Sequence, residues 1–407
     1  MRRASGLAAL AAVVGPGVLA GLSDDDPAGI TTYSILGADY GYELLWVLLL
    51  STAALIVYHE LGARTGMATG EGLIGVIRQR FGVRTATLAL GALLIANLGT
   101  TCAEFAGVAA SGELAGVSRY VSVPVAALAI SLLVLRGGFR RVEHVLLALA
   151  TVFAAYIVSG LLAQPDWGEA ARGLVLPSLP GGRDALLTTT ATVGTTLAPW
   201  GLAFIQSYAV DKRLTPDKLR LERVDVVTGA VMTGVIGTFV VVACAATLHA
   251  DGRSIDTARD AALALEPLAG DLAATLFGAG LLGAALLAAA ILPLATAYSV
   301  TDLLGYEAAL DDPLREAPVF YASYAVVVVL AGGLVLLPGA PLVPILFLTQ
   351  ALNAVLLLPL MVLMHRIARD RQLMGEQVNG RFATAAQLAS LALVAACVAA
   401  LLAFSVA

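Results

Sequence analysis

Residues 15–40 read GPGVLAGLSDDDPAGITTYSILGADY, an apolar stretch that three consecutive aspartates and a proline interrupt. Proline lacks an amide donor and clashes with the preceding helical turn, so a helix is predicted to break at Asp26-Pro27. The flanking segments 7–22 and 30–38 are too short to span a bilayer, which takes about 20 apolar residues. The stretch therefore predicts one membrane helix with an unwound centre. The alternative is a loop in which Asp26-Pro27 begins an ordinary helix.

The composition of the whole chain also indicates a membrane protein. Of its 407 residues, 59% are hydrophobic and 13% are charged, and the mean hydropathy is +0.88. These values exclude an ordinary soluble domain, which is about 25% charged. The net charge of −5 is spread over connecting segments, so no nucleic-acid partner is indicated. Cys102, Cys244 and Cys397 lie in apolar runs without CxxC spacing, which argues against a disulfide or zinc framework.

Apolar runs predict an all-α polytopic membrane protein with eleven transmembrane helices. They cover residues 7–38, 43–65, 84–111, 117–135, 143–163, 184–211, 222–249, 268–304, 317–337, 342–367 and 383–406. Arg2 and Arg3 before an apolar run resemble the start of a signal peptide. We favour a retained half-helix, because Gly15-Pro16-Gly17 and the acidic cluster follow at once.

The distribution of basic residues predicts the orientation. If the N-terminus is cytoplasmic, most of the 24 Lys and Arg residues fall on the cytoplasmic side. That bias satisfies the positive-inside rule for a protein of the cytoplasmic membrane. An odd number of helices then predicts an extracytoplasmic C-terminus.

A second break is predicted in the sixth helix, at Ala198-Pro199 with Gly201 nearby. Broken helices expose polar backbone groups at membrane depth, where they persist only if they line a cavity or bind something. The two breaks begin successive five-helix blocks, which is typical of a five-plus-five inverted repeat. We predict one transmembrane domain over 1–407, with repeats at about 7–163 and 184–367 and an extra helix at 383–406. The alternative is that Pro199 only kinks its helix.

The acidic cluster of the first break is the principal candidate for chemistry. A charged residue at the centre of a membrane helix costs about 2.5–3.5 kcal/mol on insertion scales, so these side chains need water, a partner or a cation. Successive helical residues point about 100° apart. We therefore expect one or two of Asp24, Asp25 and Asp26 to bind a cation while another caps the following half-helix.

The expected site contains only oxygen ligands. Oxygen ligands suit Mg²⁺, Ca²⁺ or Mn²⁺, whereas a thioether favours softer metals, and no methionine lies near either break. The second break offers Thr195, Thr196 and Gln206, together with the backbone carbonyls before Pro199.

Several other polar residues lie inside predicted spans. Glu104 is expected to be functional, because a buried carboxylate needs a partner or a proton. Gln350 and Asn353 share a helix face, and either solute contact or simple interhelical hydrogen bonding is open for them. His59 and Glu60 are expected at the membrane interface, near the cytoplasmic end of the second helix. The chain has no nucleophile elbow, Walker loop or HExxH helix, so we do not expect an enzyme.

The first helix and the segment RQLMGEQVNGR (371–381) resemble the Nramp family of divalent-metal transporters, and the similarity extends over nearly the whole chain. The family has Asp-Pro-Gly-Asn in its first helix, and its Met-Gly-x-x-Val-Asn stretch matches Met374–Asn379. The resemblance implies the LeuT-type fold and passage of a divalent cation from outside to cytoplasm by alternating access. The metal is then the substrate, and no cofactor or protein partner is implied.

Transfer of the family's site residues reveals agreements and losses. Asp26 keeps the metal-binding aspartate, Thr195 falls where the family offers a backbone carbonyl, and Gln350 matches a glutamine that approaches the ion. Gly29 stands where the family has its binding asparagine. Ala198-Pro199-Trp200 replaces the family's Met-Pro-His, which removes a sulfur ligand and a histidine associated with proton movement.

The proton path implied by the family is also depleted. Thr101 and Glu104 stand at the family's paired acids of helix three, so one acid remains, and helix nine lacks the expected arginines. With a sulfur-free site and a depleted proton path, the chain resembles the Nramp-related magnesium transporters. A site with few side-chain ligands is reasonable for Mg²⁺, because this ion often keeps several waters. Asp24 and Asp25 could hold such a hydrated ion through water.

Three other functions stay open. The first is proton-coupled Mn²⁺ or Fe²⁺ import, with Glu104 and Asp24 or Asp25 replacing the lost proton groups. The second is Na⁺-coupled transport of an organic solute, because inverted-repeat folds serve many substrates. The third is a metal sensor that does not transport.

Overall fold

The structure is a computed structural model that describes residues 16–150, 154–262, 270, 273–306, 310 and 312–406. Within these residues the chain is helical and forms no β-strand. The helices before the second break are α1 (Pro16–Ser23), α2 (Pro27–Tyr40), α3 (Leu45–Thr69), α4 (Leu73–Phe81), α5 (Val83–Leu114), α6 (Arg119–Ala150), α7 (Ala154–Leu162), α8 (Trp167–Val175) and α9 (Arg183–Thr196). Those after it are α10 (Pro199–Asp211), α11 (Leu219–Cys244), α12 (Ala258–Ala262), α13 (Ala273–Leu304), α14 (Pro318–Val335), α15 (Leu342–Ala368), α16 (Arg371–Met374) and α17 (Arg381–Val406).

Eight helices in the described part of the chain are long and apolar enough to cross a membrane. The remaining predicted spans are the two broken helices and the segment that ends with α7. Their pieces are short, and the broken helices become membrane-length only when the halves α1–α2 and α9–α10 are taken together. The described elements are consistent with the predicted eleven helices.

Both predicted breaks are present. The first runs from Asp24 to Asp26, between α1 and α2, and Pro27 takes the first position of α2. The second consists of Leu197 and Ala198, and Pro199 begins α10. Proline is tolerated at the first helical position because its missing amide has no intrahelical partner there.

The four half-helices occupy the centre of the bundle. α11 packs against α1 and α2, α15 packs against α2 and α9, and α10 packs against α3. α13 and α5 form another closely packed pair. The halves of both broken helices are therefore enclosed by complete helices, which shield their free backbone groups from lipid.

Some predicted boundaries are wrong. The loop predicted between 135 and 143 is helical, because α6 continues to Ala150. No proline lies beside Gly137 and Gly138 to stop the helix, and the arginines around them are good helix formers. Two connections contain the short helices α4 and α8. The question of a retained N-terminus concerns residues 1–15, which lie outside the described residues.

Candidate functional site

Asp26 shapes the first break. Its backbone is extended, and its Oδ1 accepts a hydrogen bond of 2.5 Å from the amide of Gly29. The side chain thus caps the N-terminus of α2, where a negative charge also meets the positive end of the helix dipole. Oδ1 of the aspartate has this capping role, and the carboxyl group also approaches that of Glu104.

Three oxygen atoms converge beside Gly29. A Cβ at this position would lie 2.5 Å from the carbonyl oxygen of Asp24, 3.2 Å from Oγ1 of Thr195 and 3.3 Å from Oδ1 of Asp26. The Thr195 hydroxyl has no hydrogen-bond partner among the described residues. Only glycine fits here without displacing its neighbours, because a side chain would press on oxygen atoms from both breaks. The sequence predicted Thr195 and Asp26 for this site, but it did not indicate the Asp24 carbonyl.

Four carboxyl groups are buried around the first break, those of Asp24, Asp25, Asp26 and Glu104. Their exposed fractions lie between 0 and 3%, and none forms an ion pair with a described residue. The Thr233 hydroxyl lies beside Asp25 but donates to the Gly21 carbonyl. Such a concentration of negative charge in a low dielectric needs protons or a cation.

Glu104 faces the first break from α5. Gly107, one turn later, packs against the ring of Pro27, since a Cβ there would lie 2.5 Å from it. The carboxyl groups of Glu104 and Asp26 approach each other, yet neither Glu104 oxygen has a donor among the described residues. Two ionised carboxylates have no proton to share, so this pair can accept one proton or one cation between them.

The second break supplies no charge. Ala198 precedes α10 without a side-chain cap, and its carbonyl accepts from the amide of Gly201 at 3.1 Å. Trp200 is buried with its ring against Phe204. The two breaks are joined by a 3.0 Å hydrogen bond between the hydroxyls of Tyr33 and Thr196.

Gln350 and Asn353 lie near the breaks but bind each other. Asn353 Nδ2 donates to Gln350 Oε1 at 3.0 Å and to the Thr100 hydroxyl at 2.9 Å. The backbone of Gln350 touches α9 at Gly194. Gln350 stays a proposed ligand, although its amide is used within α15 in this conformation. Gln206 lies farther along α10, where its Nε2 donates to the Glu71 carbonyl at 2.9 Å.

His59 is a residue that the sequence placed wrongly. It was expected at the membrane interface, but it is only 1% exposed, and neither ring nitrogen has a partner among the described residues. A Cβ on Gly201 would lie 3.1 Å from its Nε2 and 3.7 Å from Asp24 Oδ1. His59 and Asp24 therefore meet α10 at the same glycine. Close packing of α3 on α10 at Gly62 brings the histidine inward, and the sequence pattern did not indicate this.

The geometry favours a mixed set of oxygen ligands. Within the described residues, no three His, Cys, Asp or Glu side chains are grouped so as to hold a metal ion. A cation at the breaks would therefore be held by one or two carboxylates together with hydroxyl, carbonyl and water oxygens. Such sets suit hard divalent cations, Mg²⁺ in particular, which keeps several waters.

Comparison with known sequences finds relatives over most of the chain. The profile of the family described as natural resistance-associated macrophage protein-like (Nramp) matches residues 17–404. The divalent metal cation transporter MntH of Burkholderia ambifaria is 32% identical over 290 residues, which cover 68% of this chain and 64% of that relative. The MntH of Pectobacterium carotovorum is 29% identical over 379 residues, or 91% of this chain and 89% of that one.

Solved structures share the fold. A manganese transporter of Eremococcus coleocola, crystallised with an aromatic bis-isothiourea substituted compound, superposes with a TM-score of 0.78 at 19% identity and covers 98% of this chain and 87% of its own. A nucleobase-cation-symport-1 family transporter and MhsT in complex with L-phenylalanine give TM-scores of 0.58 and 0.62. The predicted LeuT-type, all-α membrane fold is confirmed.

Proposed function

This chain belongs to the Nramp family, and we propose that it carries Mg²⁺, Mn²⁺ or both from outside to cytoplasm by alternating access. Its relatives are named as metal transporters and not as enzymes, and the divalent metal is their substrate. In this proposal the N-terminus is cytoplasmic, the C-terminus is extracytoplasmic and the membrane is the cytoplasmic one.

The observation that supports the proposal most directly is the convergence of oxygens beside Gly29. Asp26 Oδ1, the Asp24 carbonyl and Thr195 Oγ1 come from both breaks and lie close together beside the Cα of Gly29. The family's sulfur ligand is replaced by Ala198, so a soft metal gains no thioether here. This set favours a hard cation.

Asp24 and Asp25 fit the proposal as holders of water around the ion. Their four carboxylate oxygens are buried without a hydrogen-bond partner among the described residues. Mg²⁺ is usually bound through one or two carboxylates while it keeps several waters. The added aspartates would neutralise the ion's charge through that hydration shell, and Asp26 would contact it.

Burial of the site supports alternating access. The carboxyl groups of the first break are shielded from solvent, so an ion enters only when the half-helices move. The unwound segments between α1 and α2 and between α9 and α10 are the natural hinges, because they lack continuous helical hydrogen bonds.

A second candidate is proton-coupled import of Mn²⁺ or Fe²⁺. Two observations favour it: Glu104 faces Asp26, and the buried imidazole of His59 lies beside Gly201 near Asp24. A carboxyl pair can carry a proton, and imidazole nitrogen is a ligand that suits transition metals.

Flux measurements in proteoliposomes test these functions against each other. Mg²⁺, Mn²⁺, Fe²⁺ and Cd²⁺ uptake is recorded together with internal pH, with protein-free vesicles as the control. We expect Mg²⁺ or Mn²⁺ uptake without internal acidification. Transport of Fe²⁺ or Cd²⁺ but not Mg²⁺ contradicts the hard-cation proposal, and acidification that tracks metal uptake supports the second candidate.

A further inference from the structure

A cavity lies apart from the breaks, where the ends of α3, α10 and α13 meet α4. Its volume is about 600 Å³. In the proposed orientation these helix ends lie on the cytoplasmic side. α10 connects the two regions, since Gly201 lies beside Asp24 and Ser207 lines the cavity. Gly201 and Ser207 are six positions apart along the helix, a rise of roughly 9 Å.

The lining of this cavity is acidic. It contains four carboxylates and two guanidinium groups: Glu71, Asp211, Asp302, Asp312, Arg78 and Arg213. Arg78 donates a 3.0 Å hydrogen bond to the Leu303 carbonyl at the end of α13. Asp211 accepts from the Tyr298 hydroxyl and from the amide of Leu310 at 3.2 Å. These bonds engage Arg78 and Asp211, Asp312 has a partner as well, and Gln79 Nε2 donates to Oε1 of Glu71. Oδ2 of Asp302 and Oε2 of Glu71 are therefore the carboxylate oxygens of interest.

Asp302 and Ser207 converge on Gly72. Oδ2 of Asp302 and Oγ of Ser207 both lie within 2.7 Å of the point where a Cβ of Gly72 would stand. Ser207 is only 5% exposed, and neither oxygen has a hydrogen-bond partner among the described residues. Asp302 also accepts from the amide of Gly75. That bond caps the N-terminus of α4, but Oδ2 and the serine hydroxyl are left without a partner among the described residues.

Glu71 completes the cluster from the opposite side of the same turn. A Cβ on Gly75 would lie 3.0 Å from Glu71 Oε2 and 3.8 Å from Cβ of Asp302. The glycines at 72 and 75 thus allow two carboxylates and a hydroxyl to approach the same turn of backbone, where all three line the cavity. Oxygen ligands of this kind, with only one or two carboxylates, are typical of a hydrated Mg²⁺ or Mn²⁺ ion.

We propose that Asp302, Glu71 and Ser207 form a second divalent-cation site, which holds the hydrated ion after it leaves the breaks and before it enters the cytoplasm. The role as an exit site rests on the proposed function, whereas binding of the ion does not. Gly66 of α3 packs against the Gln206 backbone. This contact holds α3 close to α10 beside the cavity, where Gln206 adjoins Ser207.

Mn²⁺ titration followed by electron paramagnetic resonance tests the site in purified full-length protein. The Asp26→Ala background removes a ligand of the central site, so the remaining bound Mn²⁺ reports on the cavity. Asp302→Asn keeps an oxygen that can cap α4 but removes the charge. We expect binding in this double variant to be at least about tenfold weaker than in Asp26→Ala, because a charged ligand is lost. Ser207→Ala should weaken it about threefold, the effect of one neutral ligand.

Asp217→Asn is the matched control, because this carboxylate is exposed and lies outside the cavity. It should leave Mn²⁺ binding in the Asp26→Ala background unchanged. The proposal is overturned if Asp26→Ala binds no Mn²⁺, or if the remaining binding is insensitive to Ser207→Ala and Asp302→Asn. If this binding depends on Asp302 while the vesicles show no divalent flux, the site stands and the proposed function fails.

Discussion

The two breaks differ in what they contribute. The first contains three aspartates, and the side chain of one caps its following half-helix. The second contains Leu197 and Ala198, and its following half-helix has no side-chain cap. The two breaks therefore differ in the groups that they offer an ion. The first supplies charge, whereas the second supplies a small residue and, from the end of α9, the neutral hydroxyl of Thr195. We infer that an ion is held mainly by the first break and shaped by the second.

The largest expected effect is the loss of Asp26. In Asp26→Ala, metal flux in proteoliposomes should fall about 100-fold or more, because even partners outside the ligand shell change metal affinity by about 10–100-fold. Asp26→Asn, which can still cap α2, separates the charge from the cap. Normal flux in the alanine variant removes the first break from the mechanism.

Gly29→Ala comes next. Its Cβ would press on the Asp24 carbonyl and stand near Thr195 and Asp26. Overpacking of this kind costs about 1–3 kcal/mol. Because relief of the clash would displace the ligand oxygens, we expect flux to fall roughly tenfold. Gly91→Ala is the control, because no atom lies within 4 Å of a Cβ at that helical glycine. Equal flux in both variants would show that the space beside Gly29 is not used.

Thr195→Val tests the hydroxyl of the second break. Valine keeps the shape and removes one neutral ligand, so Mg²⁺ affinity measured by calorimetry should weaken about threefold. Thr192→Val serves for comparison, since that hydroxyl donates to the Thr188 carbonyl of its own helix at 2.8 Å. An unchanged affinity in Thr195→Val confines the ligands to the first break.

The smallest expected effect is a change of selectivity. Ala198→Met places a thioether at the second break, and the ratio of Cd²⁺ to Mg²⁺ uptake should rise about threefold because soft metals prefer sulfur. Ala198→Leu has a similar volume without sulfur and should leave the ratio unchanged. The same rise in both variants would mean that size, and not ligand chemistry, governs selectivity.

The sequence predicted the parts of the fold that local chemistry determines. Pro27 and Pro199, each with a glycine two residues later, marked both breaks because proline removes an amide donor. Proline alone does not decide this, since Pro124, Pro293 and Pro359 lie inside continuous helices. The extent of α6 was missed, because two adjacent glycines allow either a turn or a helix.

The site was predicted less completely than the fold. The cost of charge in the membrane indicated the three aspartates together, and the family resemblance singled out Asp26 among them. Gly29 was interpreted only as the loss of a ligand. Its role in admitting the Asp24 carbonyl depends on how the unwound chain folds back, which no pattern of residues shows. His59 was missed for the same reason, since its depth depends on the contact between α3 and α10.

The most direct test of the central claim is the anomalous diffraction signal of Mn²⁺ in crystals of the wild-type protein. We predict a peak in the space beside Gly29, in contact with Asp26 and bounded by the Asp24 carbonyl and the Thr195 hydroxyl. A peak elsewhere between the half-helices, with Asp26 and Thr195 outside its coordination and hydration shells, would contradict the account.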